Sequence, residues 1–171
     1  MGSGKDTAAL SLIETKGWAR FAFADVLKES LKVLFLFSDE QVYGDKKDIV
    51  DLRWGRSPRH LLQWLGTDVL RSQFDENFFI KHALLQITSL LEKHPGVVVT
   101  DCRFDNEAEL IRELNGVVIQ IVRNTQQRNP EATHTSEAGV SKHLVDTVLV
   151  NNESIEALQS KASTFILSFN N

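Results

Sequence analysis

Two short runs of β-branched residues constrain the fold of this chain more than any other feature. The first runs from Val97 to Thr100 and the second from Val117 to Val122, with Gly116 directly before the second. The first run is β-branched throughout and the second is interrupted by Gln120. Runs of this kind are typical of strands buried on both faces of a parallel sheet. Residues 106–114 between them have the apolar spacing of a helix, which makes a strand, helix, strand unit. The sequence therefore predicts an α/β fold with a parallel sheet.

The rest of the chain supplies further elements around this unit. Predicted helices cover residues 6–16, 25–37, 77–93 and 154–168, and predicted strands cover residues 18–24 and 145–150. Another helix opens with Ser57 as a candidate N-cap and Pro58 at the first helical position. We find no linker that would split the chain. Residues 1–171 are therefore predicted to form one doubly wound domain, with a helical insertion at about residues 38–94.

Composition excludes several classes of protein. The 171 residues carry a formal net charge of -4, which argues against a protein that works by coating nucleic acid. No apolar stretch approaches the roughly 18 residues of a membrane-spanning helix, and the N-terminus lacks the pattern of a signal peptide. Cys102 is the single cysteine, so it has no partner for a disulfide within the chain. We expect a soluble protein of the cytoplasm.

The most informative motif is a glycine-rich stretch near the N-terminus, from Gly2 to Thr7. Such glycines let backbone N–H groups point at phosphate oxygens, the following helix adds the positive end of its dipole, and a lysine such as Lys5 reaches the outer phosphates. The match is partial, because the first glycine of the full pattern would fall before Met1 and Asp6 separates the lysine from the hydroxyl residue. A flexible stretch or a cloning remnant is the alternative interpretation.

Asp101 follows the first β-branched run, at the carboxyl end of a predicted strand. Ligands bind at such ends in open α/β sheets, and phosphate-loop enzymes use an acidic residue there to hold or orient Mg2+ through water. A helix N-cap is the alternative for Asp101. Arg103, Asn106 and Glu107 follow in the same predicted crevice, and a solvated first turn of a helix is the alternative for each of them.

Arginines form the third candidate feature. Four lie in the predicted insertion, at Arg53, Arg56, Arg59 and Arg71, and two lie beside a polar segment, at Arg123 and Arg128. A guanidinium group binds two phosphate oxygens at once and keeps its charge, which suits a site that must neutralise a transferring phosphoryl group. An ordinary surface position is the alternative for each arginine taken singly.

In order and spacing, these motifs resemble the deoxynucleoside monophosphate kinases of bacteriophages and their bacterial relatives, a branch of the phosphate-loop nucleotide kinases. The matching segments are Gly2–Thr7, Phe23–Lys28, Gln41–Gly44, Arg59–Asp68, Val99–Glu107, Ile121–Arg123, His134–Glu137 and Asp146–Asn152. They extend over nearly the whole chain. Each segment is a weak signal by itself. The specific signal is that all of them occur in the same order and spacing as in the family.

The resemblance implies transfer of the γ-phosphoryl group of ATP to a deoxynucleoside 5′-monophosphate, with Mg2+ as the cofactor. The residues implied to hold the ATP phosphates are Gly2, Gly4, Lys5, Asp6 and Thr7. Those implied to bind the acceptor are Arg59, Gln63, Asp68, Arg71 and Arg103. Those implied to act on the transferring group are Lys5, Asp101, Arg123 and Arg128. The metal would be held through water near Asp101 and Asp6, with no direct protein ligand.

The resemblance also implies a lid at about residues 124–135, which closes to exclude water. His134, Ser136 and Glu137 would lie at its edge, and a capping or packing role is the alternative for His134. ATP and the deoxynucleotide are the implied partners, without nucleic acid or membrane. Many relatives dimerise, which favours a homodimer, and a viral member would work in the host cytoplasm.

The sheet of such a kinase is built around a strand that leads into the phosphate loop, and this strand is predicted to be missing from the chain. Two other functions stay open. One is a phosphate-loop kinase that acts on another small phosphorylated metabolite, such as phosphomevalonate. The other is a nucleotide-binding protein without catalytic activity.

Overall fold

A computed structural model describes residues 3–123 and 139–169, with side chains described as far as residue 166. These residues form two compact units. The first unit contains the described residues through Ala22 and from Leu84 onward, and the second contains Phe23–Ala83. The second unit thus begins and ends earlier in the chain than the predicted insertion at residues 38–94.

The described residues combine helices with short parallel strands, which confirms the mixed α/β class. In chain order the helices are α1 (Lys5–Lys16), α2 (Asp25–Phe35), α3 (Asp39–Val42), α4 (Pro58–Gln63), α5 (Phe78–Leu91), α6 (Asp105–Glu113) and α7 (Ile155–Phe169). The strands are β1 (Ala19–Phe21), β2 (Val97–Val99), β3 (Ile119–Val122) and β4 (Thr147–Val150). A π-helical segment covers Trp64–Phe74, and 3₁₀ turns cover Asp45–Asp48 and Lys142–Leu144.

The strands pair in two separate parallel sheets. β1 pairs with β2 so that Ala19 lies opposite Val97, and β3 pairs with β4 so that Ile119 lies opposite Thr147. Among the described residues, β2 and β3 share no ladder. The predicted strand, helix, strand unit is therefore present as β2, α6 and β3, but its two strands belong to different sheets.

An apolar cavity of about 440 Å³ lies between β2 and β3. Consecutive residues of both chain segments line it, Val97–Thr100 on one side and Val117–Ile121 on the other. Successive side chains of a strand point to opposite faces, so a cavity lined by every residue runs along the strand edges. The prediction that these two runs are fully buried strands is wrong for this reason, since most of their residues are only half-buried.

Helices α1 and α7 pack together over the β3–β4 sheet. Ala8 of α1 and Leu158 and Ala162 of α7 form a buried cluster against Ile121 and Leu149 of the strands. Leu158 is 2% exposed, and burying a leucine side chain to this degree stabilises a fold by roughly 2 kcal/mol. This packing fixes the position of the N-terminal end of α1 relative to the ends of β3 and β4.

The second unit has a core of its own around α2 and α4. Leu31, Phe37, Val42 and Leu61 form its buried cluster. The predicted N-cap is confirmed, because the Ser57 hydroxyl accepts the His60 N–H at 3.2 Å and Pro58 takes the first helical position. The helix that begins at Pro58 continues directly into the π-helical segment at Trp64.

The remaining predicted elements are present, with bounds that differ from the predicted ones by up to three residues at either end. The predicted strand over residues 18–24 is β1, and the predicted helix over residues 25–37 is α2, which ends where Leu36 adopts a left-handed backbone with φ 53°. The polar segment and predicted lid at residues 124–135 lie outside the described residues. None of the described helices is both long and apolar enough to span a bilayer.

Candidate active site

Gly4 begins α1 in a backbone conformation that other residues rarely adopt. Its φ is 100°, in the left-handed region where glycine has no steric penalty. A Cβ atom at this position would lie 2.4 Å from Asn151 Nδ2 and 2.9 Å from Leu158 Cδ2. Both the torsion and the available space therefore require glycine at this point of the predicted phosphate loop.

Lys5 and Asp6 form the first turn of α1 with exposed side chains. Within residues 3–123 and 139–169, neither side chain has a hydrogen bond or an ion pair. The N-terminus of a helix presents N–H groups without intrahelical partners and a partial positive charge, and both attract anions. This end of α1 is therefore suited to a phosphate, with the Lys5 ammonium group available to it.

The carbonyls around this turn are held by side chains from the C-terminal part of the chain. Asn151 Nδ2 donates to the Ser3 carbonyl at 2.8 Å, and Gln159 Nε2 donates to the Thr7 carbonyl at 3.4 Å. Asn151 is 4% exposed. The start of α1 is thus fixed from two sides, while its first side chains stay in solvent.

A second loop follows β2 and contains Asp101 and Arg103. The Glu107 carboxylate accepts the backbone N–H of Arg103 at 2.8 Å and that of Phe104 at 3.2 Å. Glu107 is 2% exposed, so this carboxylate holds the loop from within the fold. The N-cap of α6 is Phe104, which makes the alternative interpretation of Asp101 as a helix N-cap wrong. The Asp101 side chain is half-buried and that of Arg103 is exposed.

Cys102 lies between these two residues, and its thiol is not activated as a nucleophile. Burial raises the pKa of its thiol to about 12, and the carboxylates of Glu107, Asp101 and Asp105 add to the effect. The thiol is protonated at neutral pH, so it lacks the thiolate that nucleophilic chemistry requires. The loop therefore offers a carboxylate and a guanidinium group rather than a cysteine nucleophile.

One residue of the predicted loop and the end of β2 line the same cavity of the first unit. Lys5 lines the cavity between β2 and β3, and so do Thr100 and Cys102, the two neighbours of Asp101. Arg123 is exposed directly after β3 and has an interaction partner. Gly2, Arg128, His134, Ser136 and Glu137 lie outside the described residues, so their roles stay predictions.

In the second unit, two of the arginines pair with acidic residues. Arg59 binds Asp48 through Nε and Nη2, with the Nη2 contact at 3.1 Å, and this pairing lowers the pKa of Asp48. Arg53 binds Asp51 through Nη2 at 2.7 Å, and this contact is the main cause of the lowered pKa of Asp51. The predicted phosphate-binding residue Arg59 is therefore occupied by a carboxylate.

The other predicted acceptor residues of this unit differ in their surroundings. The Arg71 guanidinium carbon lies 4.8 Å from the centre of the Phe79 ring, a cation–π arrangement that holds the side chain in place. Gln63 ends α4 and Asp68 lies in the π-helical segment, both with exposed side chains. Their roles in acceptor binding stay predictions.

Two buried polar residues support the candidate loops, and the sequence motifs assigned Asn151 no role beyond membership in a matching segment. The alternative interpretation of Glu107 as part of a solvated first turn is wrong, because Glu107 is 2% exposed. Asn151 and Glu107 each bind the backbone of a candidate loop, and both are polar residues with almost no exposure. The contact of Asn151 depends on a segment 148 residues away, so a sequence pattern gives no sign of it. The contacts of Glu107 are local, because Glu107 is the third residue of α6 and accepts N–H groups three and four residues earlier in a capping box.

The described residues contain no group of three or more histidine, cysteine, aspartate or glutamate side chains arranged to hold a metal ion. The oxygen donors nearest the phosphate loop in sequence are Asp6 and Thr7, and Asp101 follows β2. Mg2+ is usually bound by one or two carboxylates together with substrate phosphates and water. The donor types present fit that mode of binding.

Comparison with known proteins gives consistent results. Residues 40–162 match the family model described as deoxynucleotide monophosphate kinase. A putative deoxynucleotide monophosphate kinase of Acanthamoeba polyphaga mimivirus is 44% identical over 173 residues, which cover 94% of this chain and 89% of that protein. The deoxynucleotide monophosphate kinase of Enterobacteria phage T4 is 33% identical over 142 residues, which cover 82% of this chain and 56% of that protein.

A third relative matches a shorter part of this chain. The deoxynucleoside-5'-monophosphate kinase of Escherichia phage T5 is 33% identical over 101 residues, which cover 56% of this chain and 39% of that protein. The chain thus spans most of the mimivirus protein and about half or less of the two phage proteins.

Proposed function

The chain belongs to the deoxynucleotide monophosphate kinase family, and we propose that it transfers the γ-phosphoryl group of ATP to a deoxynucleoside 5′-monophosphate. The products are ADP and the deoxynucleoside diphosphate. The observation that carries the proposal is the start of α1, where Gly4 has φ 100° and Lys5 extends into solvent beside the helix N-terminus. This arrangement provides both the N–H groups and the cation that a triphosphate needs.

The ATP phosphates bind at the loop formed by Gly2, Gly4, Lys5, Asp6 and Thr7. Lys5 contributes most, because its ammonium group can follow the charge that moves with the transferring phosphoryl group. The absence of an ion pair on Lys5 among the described residues supports this role, since a phosphate would displace only water from it.

The residues proposed to bind the acceptor monophosphate are Arg59, Gln63, Asp68 and Arg71 of the second unit and Arg103 of the first. Arg59 and Arg71 provide guanidinium groups that bind phosphate oxygens in pairs, while Gln63 and Asp68 provide hydrogen-bonding groups for the nucleoside. The Arg59–Asp48 pair supports such a role for Arg59, because its fork is already arranged for two oxygens of one anion.

Catalysis requires no covalent intermediate. The acceptor phosphate oxygen attacks the γ-phosphorus, the bond to the β,γ-bridging oxygen breaks, and the bridging oxygen leaves with ADP. Lys5, Arg123 and Arg128 offset the charge on the transferring group, and Asp101 orients the groups around it. Closure of the segment at residues 124–135 excludes water, which protects ATP from hydrolysis.

The proposed cofactor is Mg2+, held through water near Asp101 and Asp6. When bound, it neutralises phosphate charge and helps to orient the triphosphate. Asp101 supports this proposal, because its carboxylate is half-buried at the end of β2 and the same loop is held rigidly by Glu107.

In the proposed fold, the two strand pairs belong to one doubly wound phosphate-loop sheet. The apolar cavity supports this proposal, because the edges of β2 and β3 border it along consecutive residues. An extended apolar segment in that cavity would pair with both edges and join the two sheets. The described residues provide no strand in this position.

We further propose that the protein works in the cytoplasm, that of the host if the source is viral, and that it forms a homodimer. Its partners are ATP and the deoxynucleotide, without nucleic acid or membrane. The net charge of -4 supports the absence of a general affinity for nucleic acid.

The experiment that tests the proposed activity is an acceptor screen with the purified full chain, ATP and Mg2+. ADP release and the new diphosphate are measured by chromatography for each deoxynucleoside monophosphate, for the matching ribonucleotides and for phosphomevalonate. We expect product with one or more deoxynucleotides. Product with phosphomevalonate alone, or ATP binding without ADP release for any acceptor, would contradict the proposal.

A further inference from the structure

We propose that Asn151 is a positioning residue for the phosphate loop, and that it sets the affinity of the loop for ATP by fixing one peptide plane. This inference rests on the proposed function, because it assigns a role within the ATP site. Asn151 directly follows β4, at the carboxyl end of the β3–β4 sheet.

The backbone of Asn151 is held by the sheet. Its N–H donates to the Val122 carbonyl at 2.8 Å, which extends the pairing of β3 and β4 by one residue. The residue is 4% exposed, whereas the next residue, Asn152, is exposed. The Asn151 side chain therefore projects from a rigid point of the fold into a closed environment.

The side chain of Asn151 spans the distance from this rigid point to the loop. Its Nδ2 donates to the Ser3 carbonyl at 2.8 Å, across 148 residues of sequence. The same nitrogen lies 2.4 Å from the place where a Cβ atom of Gly4 would be. Asn151 thus contacts both residues of the described loop that precede Lys5, one by a hydrogen bond and the other by close packing.

The hydrogen bond determines where the next N–H group points. The described peptide bonds are trans, so the Gly4 N–H points opposite to the Ser3 carbonyl in the same plane. Holding the carbonyl toward Asn151 therefore turns the Gly4 N–H away from the sheet end. Without the donor at Asn151, this peptide could rotate, and part of the ATP binding energy would be lost in ordering it.

The test compares substitutions at Asn151 with one at an exposed position of β4, all in the full chain. Asn151→Leu has a similar shape without a donor, Asn151→Ser keeps a shorter donor, and Val148→Thr is the control, because Val148 is exposed on the same strand. We measure ATP binding by calorimetry, the KM for ATP, the KM for the deoxynucleotide and the melting temperature of each variant.

We expect Asn151→Leu to raise both the Kd and the KM for ATP by about tenfold, the scale of one lost buried hydrogen bond, with a KM for the deoxynucleotide within about twofold of wild type. Asn151→Ser should lie between Asn151→Leu and wild type. It keeps the measurement possible if Asn151→Leu does not fold. Val148→Thr should match wild type.

Two outcomes would overturn the inference. One is an unchanged affinity for ATP in the folded Asn151 variants, and the other is an equal rise in both KM values together with a lowered melting temperature, which indicates a purely structural role. Failure of the proposed function would be seen differently, because the wild-type protein itself would then transfer no phosphoryl group to a deoxynucleotide.

Discussion

The two candidate phosphate-binding regions of this chain differ in which groups are held in place, the backbone in one and the side chains in the other. At the start of α1, the backbone is held by Asn151 and Gln159, and the Lys5 side chain has no partner among the described residues. In the second unit, the side chains are held instead, because Arg59 pairs with Asp48 and Arg53 with Asp51. At the start of α1, an exposed lysine side chain extends from a backbone held in place by hydrogen bonds. In the second unit, these arginine side chains are already paired with carboxylates.

This difference has a physical consequence for binding. A phosphate that approaches Lys5 loses its own hydration and displaces water, whereas a phosphate that approaches Arg59 must also compete with a carboxylate. Pairs between exposed side chains are weak, so this competition is small but measurable. We therefore expect substitutions at the loop to have large effects, and substitutions in the ion pairs to have smaller effects that depend on the partner.

The largest effect is expected for Lys5→Ala. Loss of the cation that follows the transferring charge should lower kcat by at least about 100-fold. The melting temperature should stay nearly unchanged, because the side chain is exposed. Lys16→Ala at the other end of α1 is the matched control and should behave as wild type. Wild-type turnover in Lys5→Ala would contradict the site assignment.

The next effect is expected for Arg59→Ala. A guanidinium that binds two oxygens of the acceptor phosphate should contribute about 10- to 100-fold to kcat/KM for the deoxynucleotide. The KM for ATP should not change. Arg56→Ala is the control, since this nearby arginine contacts the Gly55 carbonyl rather than a carboxylate. An equal loss in both variants would indicate a general charge effect instead of a specific contact.

A smaller effect of opposite sign is expected for Asp48→Asn. This substitution removes the charge that competes with the acceptor phosphate for Arg59, so the KM for the deoxynucleotide should fall by about threefold at low salt. High salt should reduce the difference. A rise in KM would show that Asp48 holds Arg59 in its binding position rather than competing for it.

The smallest effect is expected for Asp51→Asn, and it concerns stability. Arg53 lowers the pKa of Asp51 below its ordinary value of 3.8, so the charged carboxylate stabilises the folded chain at neutral pH. The unfolded chain takes up the proton first as the pH falls, and the stabilisation is lost as the pH drops through the lowered pKa. The substitution should therefore lower the melting temperature by roughly 2 °C at pH 7.

The pH dependence of the melting temperature tests whether the charge of Asp51 causes the loss of stability. The difference between wild type and Asp51→Asn should shrink steadily below about pH 4. Asp45→Asn is the control, because this exposed carboxylate has no ion pair among the described residues. A difference that is constant from pH 3 to pH 7 would mean that the charge of Asp51 is not the cause.

Local features of this protein were predictable from the sequence because neighbouring residues determine them. Ser57 and Pro58 set the start of α4, and the alternation from β-branched runs to helical spacing correctly indicated β2, α6 and β3. The family resemblance was predictable as well, because it depends on the order of short motifs. The family model over residues 40–162 confirms it.

Pairing and burial were not predictable in the same way. The β-branched runs indicated fully buried strands, yet β2 and β3 border a cavity and pair with β1 and β4 respectively. The partners of the arginines could not be predicted from the sequence either. Arg59 and Asp48 are eleven residues apart and come into contact only when α4 packs against the preceding 3₁₀ turn. Such contacts depend on the placement of whole segments.

The sequence by itself thus determined the α/β class, the family and the position of the glycine-rich loop, since all three are encoded in residue types and short spacings. Only the tertiary structure decided that Asn151 holds Ser3 across 148 residues and that Glu107, in the first turn of α6, is buried. The reason is that a buried hydrogen bond requires both groups to leave water together, and only the packing of distant segments achieves this.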